Sequence, residues 1–232
     1  MIKFRKNGLI IGSKDIPWVK NHLWVPTAYK LNRSKIIVFF AGRNFKNESA
    51  TGYFVYDINL NKVTKISKKP VLSRGVLGMF DDSAVIPSHI IKIGRKYFMY
   101  YVGWTQGKKV PFFSSIGLAK SNSIYVPFKK IGKAPIIGKS NEDPFFVATC
   151  FVEKRKNLIE MYYTSNLGWS KNKKKAADGM TRRRTGKENT GSLLQHKSFI
   201  TARVLHYSTN SSSQPRSFIT AWILHYSPAP RL

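Results

Sequence analysis

The chain has 232 residues, enough for one large domain or two small ones, and its 40 Lys and Arg against 11 Asp and Glu give a formal net charge of +29. The basic residues are spread along the whole chain and no binding motif gathers them, so we do not expect a nucleic-acid partner despite the charge. The only cysteine, Cys150, excludes an intrachain disulfide framework, and no apolar run approaches the length of a membrane span, so we expect a cytoplasmic protein with no membrane partner.

The region 1–170 is rich in short apolar segments bounded by turn-forming residues, a pattern typical of β-strands. Two consecutive stretches of this region each predict four strands, and neither contains an apolar stripe of helical spacing. In chain order the predicted strands cover residues 24–26, 36–40, 52–56 and 62–66, then 84–87, 97–102, 115–119 and 127–131. A third stretch begins in the same way, with an apolar run at 146–148 and an aromatic strand that ends near Tyr163.

An aromatic pair marks the second strand of every stretch. The pairs begin at Phe39, Tyr100 and Tyr162, so the sequence repeats with a step of about 61 residues. Such self-similarity is the signature of an array of supersecondary units, and four strands per unit is the make-up of a β-propeller blade. A β-sandwich is the competing all-β fold, but it gives no reason for the repeat. We therefore predict an all-β fold of the β-propeller type.

The repeat stops within the third stretch, after about two and a half blades. A lysine run at 171–175 leads into sequence rich in Ser and Thr, where the segment 198–208 nearly recurs as 217–227. Because a propeller must close its ring to remove its open sheet edges, we expect an incomplete propeller over 1–170. We expect a basic, low-complexity tail over 171–232 that is disordered or arises from a shifted reading frame.

A pair of polar residues precedes the first strand of every stretch. These pairs are Asn21 with His22, Asp81 with Asp82, and Glu142 with Asp143. The two acidic pairs are separated by the same step of about 61 residues, which aligns Asp82 with Asp143. Equivalent positions of a cyclic array face one axis, so we expect these residues to converge at the mouth of a central funnel. The structural alternative is a turn, because Asp and Asn side chains cap local backbone amides.

Several motifs in residues 15–170 occur in an order and spacing that resemble the five-bladed β-propellers related to glycoside hydrolase families 43, 32 and 130. The resemblance rests on the acidic segment 78–88, the aromatic strand 97–104 and the strand 115–121, with 22–27 and 141–145 in the flanking stretches. It implies a glycan as the ligand in the funnel. We expect no cofactor and no metal site, since the recurring histidines His206 and His225 lack partner ligands in the sequence.

Glycoside cleavage needs one carboxyl that protonates the leaving oxygen and another that acts as base or nucleophile. The resemblance implies that the first acidic pair supplies the base or orients the substrate, and that the second supplies the acid or its modulator. The candidate catalytic residues are therefore Asp81, Asp82, Glu142 and Asp143. The candidate substrate-binding residues are His22, Arg43 and Trp104, with packing as the alternative for the last two.

The function implied by the resemblance is that of a carbohydrate-active propeller related to glycoside hydrolases, which hydrolyses or phosphorolyses glycosides when complete. Family 43 enzymes place an Asp on the first blade, where this sequence has Asn21 and His22, so we expect no turnover from this fragment. The first alternative is a non-catalytic glycan-binding module of a polysaccharide biosynthesis pathway. The second alternative is a basic protein that binds polyanions.

Overall fold

The computed structural model describes residues 8–155, 158–166, 168–171, 194–196 and 201–208. These residues form strands and turns, with a three-residue 3-10 turn at Ser13–Asp15 before the first strand. Nothing helical in the described part of the chain is long or apolar enough to cross a lipid bilayer.

Two four-stranded antiparallel units follow each other along the chain. Blade 1 consists of β1 (Leu23–Lys30), β2 (Lys35–Arg43), β3 (Ser49–Asp57) and β4 (Lys62–Ile66). Blade 2 consists of β5 (Ala84–Ile93), β6 (Lys96–Gln106), β7 (Phe112–Ser121) and β8 (Lys129–Lys130). Each strand pairs with the next, so both blades are simple meanders. All eight strands overlap the positions that the sequence predicts.

The third blade begins with β9 (Phe146–Arg155) and β10 (Leu158–Asn166), which form a hairpin. Two short strands, β11 (Trp169–Lys171) and β12 (Leu194–His196), pair with each other. Strand β13 (Thr201–Ser208) then lies antiparallel along β10. The sequence does not predict a third strand for this blade, so β13 is an addition to the predicted fold. The domain boundary at residue 170 and the origin of the tail stay predictions.

Blades 1 and 2 share one hydrophobic core. Ile37 and Phe39 of β2 and Val85 and Met99 of the second blade are fully buried within it. Burial of such β-branched and aromatic side chains contributes roughly 1.5–3 kcal/mol each. The two sheets are therefore packed against each other as adjacent blades, and their ends lie side by side.

A repeated side-chain hydrogen bond links each blade to the next. The Thr51 hydroxyl on β3 donates to the carbonyl oxygen of Val85 on β5 at 3.0 Å. In the same way, the Ser114 hydroxyl on β7 donates to the carbonyl oxygen of Val147 on β9 at 2.6 Å. A hydroxyl on the third strand of one blade thus reaches the first strand of the following blade twice in succession. This repetition is what a cyclic array of blades requires.

The segment that enters blade 2 crosses β6 at Gly103, where there is no room for a side chain. A Cβ atom at this position would lie 2.7 Å from the Cβ of Asp81 and closer still to the ring of Phe80. Gly42 of blade 1 has the same role, since its Cβ would lie 2.9 Å from the Trp18 ring. The repeated glycine therefore lets the residues before each blade pack directly on its second strand.

Gly103→Ala should lower the free energy of unfolding by roughly 1–3 kcal/mol, because the new methyl group overpacks a site closed by Phe80 and Asp81. Gly132→Ala is the matched control, because a Cβ there would lie 3.6 Å from its nearest neighbour, the Ala134 carbonyl oxygen. Urea unfolding of both variants measures the difference. Equal stability of the two variants would contradict the packing described for blade 2.

Candidate functional site

A cavity of about 580 Å³ opens where the ends of blades 1 and 2 meet. In an antiparallel meander the end of the second strand and the start of the third lie at the same end of the blade. The cavity wall accordingly comes from the β2–β3 hairpin, the connection between the blades and the β6–β7 hairpin, with lining residues in the ranges 43–48, 74–83 and 104–112. Loops of two blades thus surround one concavity, as expected for a binding site on this architecture.

Arg74 ties the two acidic residues of the cavity wall to each other. One nitrogen of its guanidinium, Nη2, lies 2.8 Å from Oε2 of Glu48, and the other, Nη1, donates to the backbone carbonyl oxygen of Asp82. The amide of Asn44 also donates to Oε2 of Glu48, at 2.9 Å. The side chains of Arg74 and Glu48 are about one third exposed, so this ion pair contributes little to stability. Its effect is to hold Glu48 and the loop of Asp82 on one cavity wall.

The carboxylate of Asp82 is fixed by its own loop. The Ser83 hydroxyl donates to Oδ1 at 2.8 Å, and the backbone N–H of Gly78 donates to Oδ2 at 3.0 Å. Gly78 has a φ of +89°, a conformation that glycine adopts without steric cost. The side chain of Asp82 remains partly exposed and lines the cavity.

An aromatic wall adjoins these polar groups, since the Ser83 N–H donates to the Trp104 carbonyl oxygen at 2.9 Å. The rings of Trp104 and Phe112 have centroids 4.5 Å apart, and both line the cavity. Trp24 of blade 1 lies 5.8 Å from Trp104, and the guanidinium carbon of Arg43 lies 4.7 Å from the centre of the Trp24 ring. The cavity therefore offers apolar ring faces next to charged hydrogen-bonding groups.

The structure gathers three of the predicted site residues at this cavity, namely Arg43, Asp82 and Trp104. His22 is exposed and lies outside the cavity wall, although its backbone carbonyl oxygen accepts a hydrogen bond from the Arg43 N–H at 2.9 Å. Glu142 is also exposed and outside the wall, in a turn where its Oε2 accepts a hydrogen bond from the Ser140 hydroxyl at 2.9 Å.

Asp81 faces the interior of blade 2 and is completely buried. Its Oδ2 accepts a hydrogen bond from the Tyr101 hydroxyl at 3.0 Å and lies 2.5 Å from Nζ of Lys130. Burial, together with the charge of Asp81, raises the pKa of Tyr101 far above its ordinary value, so the phenol stays protonated and donates. Asp81 is therefore shielded from the cavity that its neighbour Asp82 lines.

Asp143 also accepts a hydrogen bond from a tyrosine, in the third blade. It is buried, its Oδ2 accepts a hydrogen bond from the Tyr163 hydroxyl at 2.8 Å, and its Oδ1 accepts one from the Ser165 hydroxyl. The tyrosine follows the aspartate by 20 residues, as Tyr101 follows Asp81. Asp143 is thus equivalent to Asp81 and not to Asp82, so the alignment expected from the sequence is wrong by one residue. The aromatic pairs indicate the same shift, because the second step of the repeat is one position longer than the first.

Glu48 and Arg74 line the cavity but are not among the residues predicted from the sequence. Both lie in connections that do not repeat, so the spacing of the blades gives no signal for them. The topology does, because a hairpin that follows Arg43 at the end of β2 must lie at the same end of the blade as Arg43. As a charged residue of that hairpin, Glu48 is therefore predictable as a residue of the cavity wall.

Two other kinds of site, a metal centre and a nucleophilic cysteine, have little support in the described residues. They contain no group of three or more His, Cys, Asp or Glu side chains placed to hold a metal ion. Burial raises the pKa of the Cys150 thiol to about 12, which does not suit a nucleophile at neutral pH.

The sequence resembles curated proteins of unknown function, and no family model matches it. An uncharacterized protein of Mycobacterium tuberculosis is 31% identical over 168 residues, which is 72% of this chain and 56% of the relative. A second uncharacterized protein, from another strain of the same species, matches equally. The chain therefore spans about half the length of the curated relatives it matches.

The fold is similar to that of solved glycoside hydrolases. A putative glycoside hydrolase from Parabacteroides distasonis superposes with a TM-score of 0.53 at 14% identity, over 70% of this chain and 56% of the other. A family 32 β-fructofuranosidase from Bombyx mori has a TM-score of 0.50 at 15% identity, over 85% of this chain and 34% of the other. A family 117 glycoside hydrolase from Zobellia galactanivorans has a TM-score of 0.50 at 14% identity, over 63% of this chain and 49% of the other.

These likenesses confirm the predicted fold class, since the chain shares the β-propeller fold of these glycoside hydrolases. The predicted relationship to propellers of the glycosidase type is also confirmed at the level of the fold. The number of blades in the complete ring stays a prediction.

The different surroundings of two adjacent carboxylates predict different stabilities for their amide variants. Asp81→Asn should lower the free energy of unfolding by roughly 3–5 kcal/mol, because it breaks a buried ion pair with Lys130. Asp82→Asn should lower it by less than about 1 kcal/mol, because this side chain is partly solvated. Urea unfolding measures both, and an equal loss in the two variants would contradict the assignment of Asp81 to the blade interior.

Proposed function

We propose that this chain is part of a carbohydrate-binding β-propeller whose glycan occupies the cavity between blades 1 and 2. The observation that carries the proposal is the pairing of an aromatic wall, Trp104 and Phe112, with the charged groups of Arg43, Glu48 and Asp82. A sugar ring has apolar C–H faces that suit an aromatic surface and hydroxyl groups that suit carboxylates and guanidinium groups. The likeness of the fold to glycoside hydrolases supports a glycan over other small polar ligands.

Within this proposal Trp104 stacks on a sugar ring, and Asp82 accepts hydrogen bonds from its hydroxyl groups. Asp82 is suited to this role because Ser83 and Gly78 orient its carboxylate. Glu48 is the second acceptor, and its contact with Arg74 at 2.8 Å holds it at the cavity wall. We propose that Asp81 and Asp143 act indirectly, by fixing the segments that lead into blades 2 and 3.

Glycoside hydrolysis or phosphorolysis is the activity that we propose for the complete protein. Asp82 is the candidate base, whereas catalytic roles for Asp81, Glu142 and Asp143 and sugar binding by His22 stay predictions. A pair of carboxyl groups on opposite sides of the scissile bond is needed for turnover, and in this cavity Arg74 holds Glu48 and the loop of Asp82 on one wall. We therefore expect binding without turnover from the 232-residue chain.

A non-catalytic glycan-binding module is the second candidate function. One observation favours it. Gly42 and Gly103 are equivalent, so the residues of blade 1 that match Asp81 and Asp82 are Lys20 and Asn21, one position earlier than the pair Asn21 and His22 aligned from the sequence. The first blade thus lacks both acidic residues of the second. A role in polysaccharide biosynthesis and a cytoplasmic location stay predictions from the sequence.

Trp104→Ala should weaken the binding of a recognised oligosaccharide by about 10-fold or more, because the sugar loses the ring on which it stacks. A panel of oligosaccharides titrated calorimetrically against the whole chain identifies the ligand and measures the change. Tyr125→Ala is the control, since Tyr125 is an exposed aromatic residue outside the cavity.

Three outcomes separate the candidates. Saturable binding without turnover supports the binding function for this chain. Hydrolysis that Asp82→Asn abolishes would show that the chain is a complete catalyst and contradict the expected lack of turnover. If no oligosaccharide binds saturably, or if Trp104→Ala and Tyr125→Ala behave alike, the cavity is not the glycan site.

A further inference from the structure

The cavity carries more positive charge than its own carboxylates neutralise. Its cations are Arg43, Lys46 and Arg74, and its carboxylates are Glu48 and Asp82. Arg74 is occupied by its ion pair with Glu48. Neither Arg43 nor Lys46 makes an ion pair with any residue in the described part of the chain. Two cations at one side of the cavity are therefore left for a ligand.

Two N–H donors beside this side of the cavity lack acceptors. Nε of Arg43 and the indole nitrogen of Trp24 are both buried, and neither has a hydrogen-bond partner among the described residues. The guanidinium carbon of Arg43 lies 4.7 Å from the centre of the Trp24 ring, so the two groups are neighbours. A cation–π contact holds a guanidinium in place without neutralising its charge. Buried donors without acceptors are rare, and Arg43, which carries one of these two, is itself part of the cavity wall.

The carboxylates of the cavity do not offset these donors. Asp82 already accepts hydrogen bonds from the Ser83 hydroxyl and the Gly78 N–H, and Glu48 accepts from Arg74 and the Asn44 amide. Elsewhere several carboxylates are removed from the surface by burial, namely Asp57, Asp81, Asp143 and Glu160. With a formal net charge of +29, the field around the chain attracts anions over a distance of about one Debye length, ~8–10 Å.

We propose that the ligand of this cavity is an anionic glycan, one whose sugars carry a carboxylate, a sulfate ester or a phosphate ester. The inference rests on the proposed glycan-binding function and adds the class of substrate. One sugar ring stacks on Trp104, and the oxyanion of the same or the next sugar binds Arg43, with Lys46 nearby. The planar guanidinium suits such a group because it donates two parallel N–H bonds to a pair of oxygens.

A matched pair of ligands tests the class of substrate with the full chain. The probes are a trimer of galacturonic acid and its methyl ester, which has the same length and stacking faces but no charge. At low salt the acid should bind at least 10-fold more tightly than the ester, and added sodium chloride should remove most of the difference. Sulfated and phosphorylated galacto-oligosaccharides, titrated in parallel, show which oxyanion binds best.

Variants then locate the charge that selects the ligand. Arg43→Gln should weaken binding of the acid more than binding of the ester and so reduce the preference for the acid to about 3-fold or less, and Lys46→Gln should have a smaller effect of the same kind. Arg43→Lys keeps the charge but not the planar donors, so its preference should fall between those of the wild type and Arg43→Gln. Lys62→Gln is the control, since Lys62 is an exposed cation on β4 outside the cavity. Thermal unfolding checks that each variant is folded.

Each negative result of these experiments overturns a different claim. Equal binding of the acid and the ester would overturn the anionic class but leave the glycan site intact. Binding of neither the trimers nor any other oligosaccharide would overturn the proposed function itself. Equal weakening of acid binding by Arg43→Gln and Lys62→Gln, together with tight binding of single-stranded DNA that Trp104→Ala does not affect, would assign the charge to general polyanion binding and overturn the inference.

Discussion

The local structure of blade 2 depends on a carboxylate that water does not reach. Asp81 is completely buried, and a buried charge is tolerated only when hydrogen bonds and an opposite charge compensate for lost hydration. Tyr101 on β6 and Lys130 on β8 provide both at Oδ2, whereas Oδ1 has no hydrogen-bond partner among the described residues. Because these partners lie on two strands of the sheet, they fix the segment that leads into the blade. Asp82, the next residue, is thereby held at the edge of the cavity, so an interior ion pair positions a surface carboxylate.

The aspartate and the tyrosine of this buried hydrogen bond are either both present in a blade or both absent. In the third blade, Asp143 and Tyr163 repeat the aspartate and tyrosine with the same separation of 20 residues. In blade 1 the equivalent residues are Lys20 and Phe40, so the carboxylate and the phenol are both absent. There Trp18 stacks on Phe40 with centroids 5.8 Å apart and fixes the leading segment by apolar contact. A hydroxyl without a carboxylate, or the reverse, would leave a buried group without a partner.

The repeat and the strands of blades 1 and 2 are predictable from the sequence because aromatic and β-branched runs recur with a nearly constant step. Arg43, Asp82 and Trp104 are found in the same way, since each lies at the end or the start of a predicted strand. The opposite environments of Asp81 and Asp82 are not predictable from spacing, because a shift of one residue turns a side chain to the other face. The pairing of β13 with β10 escapes prediction too, since β13 has no counterpart in the repeat.

All of these features meet at the cavity between the blades. The interior ion pair positions Asp82, the topology brings Glu48 and Arg74 to the cavity, and the aromatic residues supply a surface for a sugar ring.

A crystal structure of the 232-residue chain with a bound acidic oligosaccharide tests this account most directly. We predict a sugar ring against the face of Trp104 and an oxyanion within about 3 Å of the Arg43 guanidinium. Ligand density elsewhere on the chain, with the cavity empty at a saturating concentration, would contradict it.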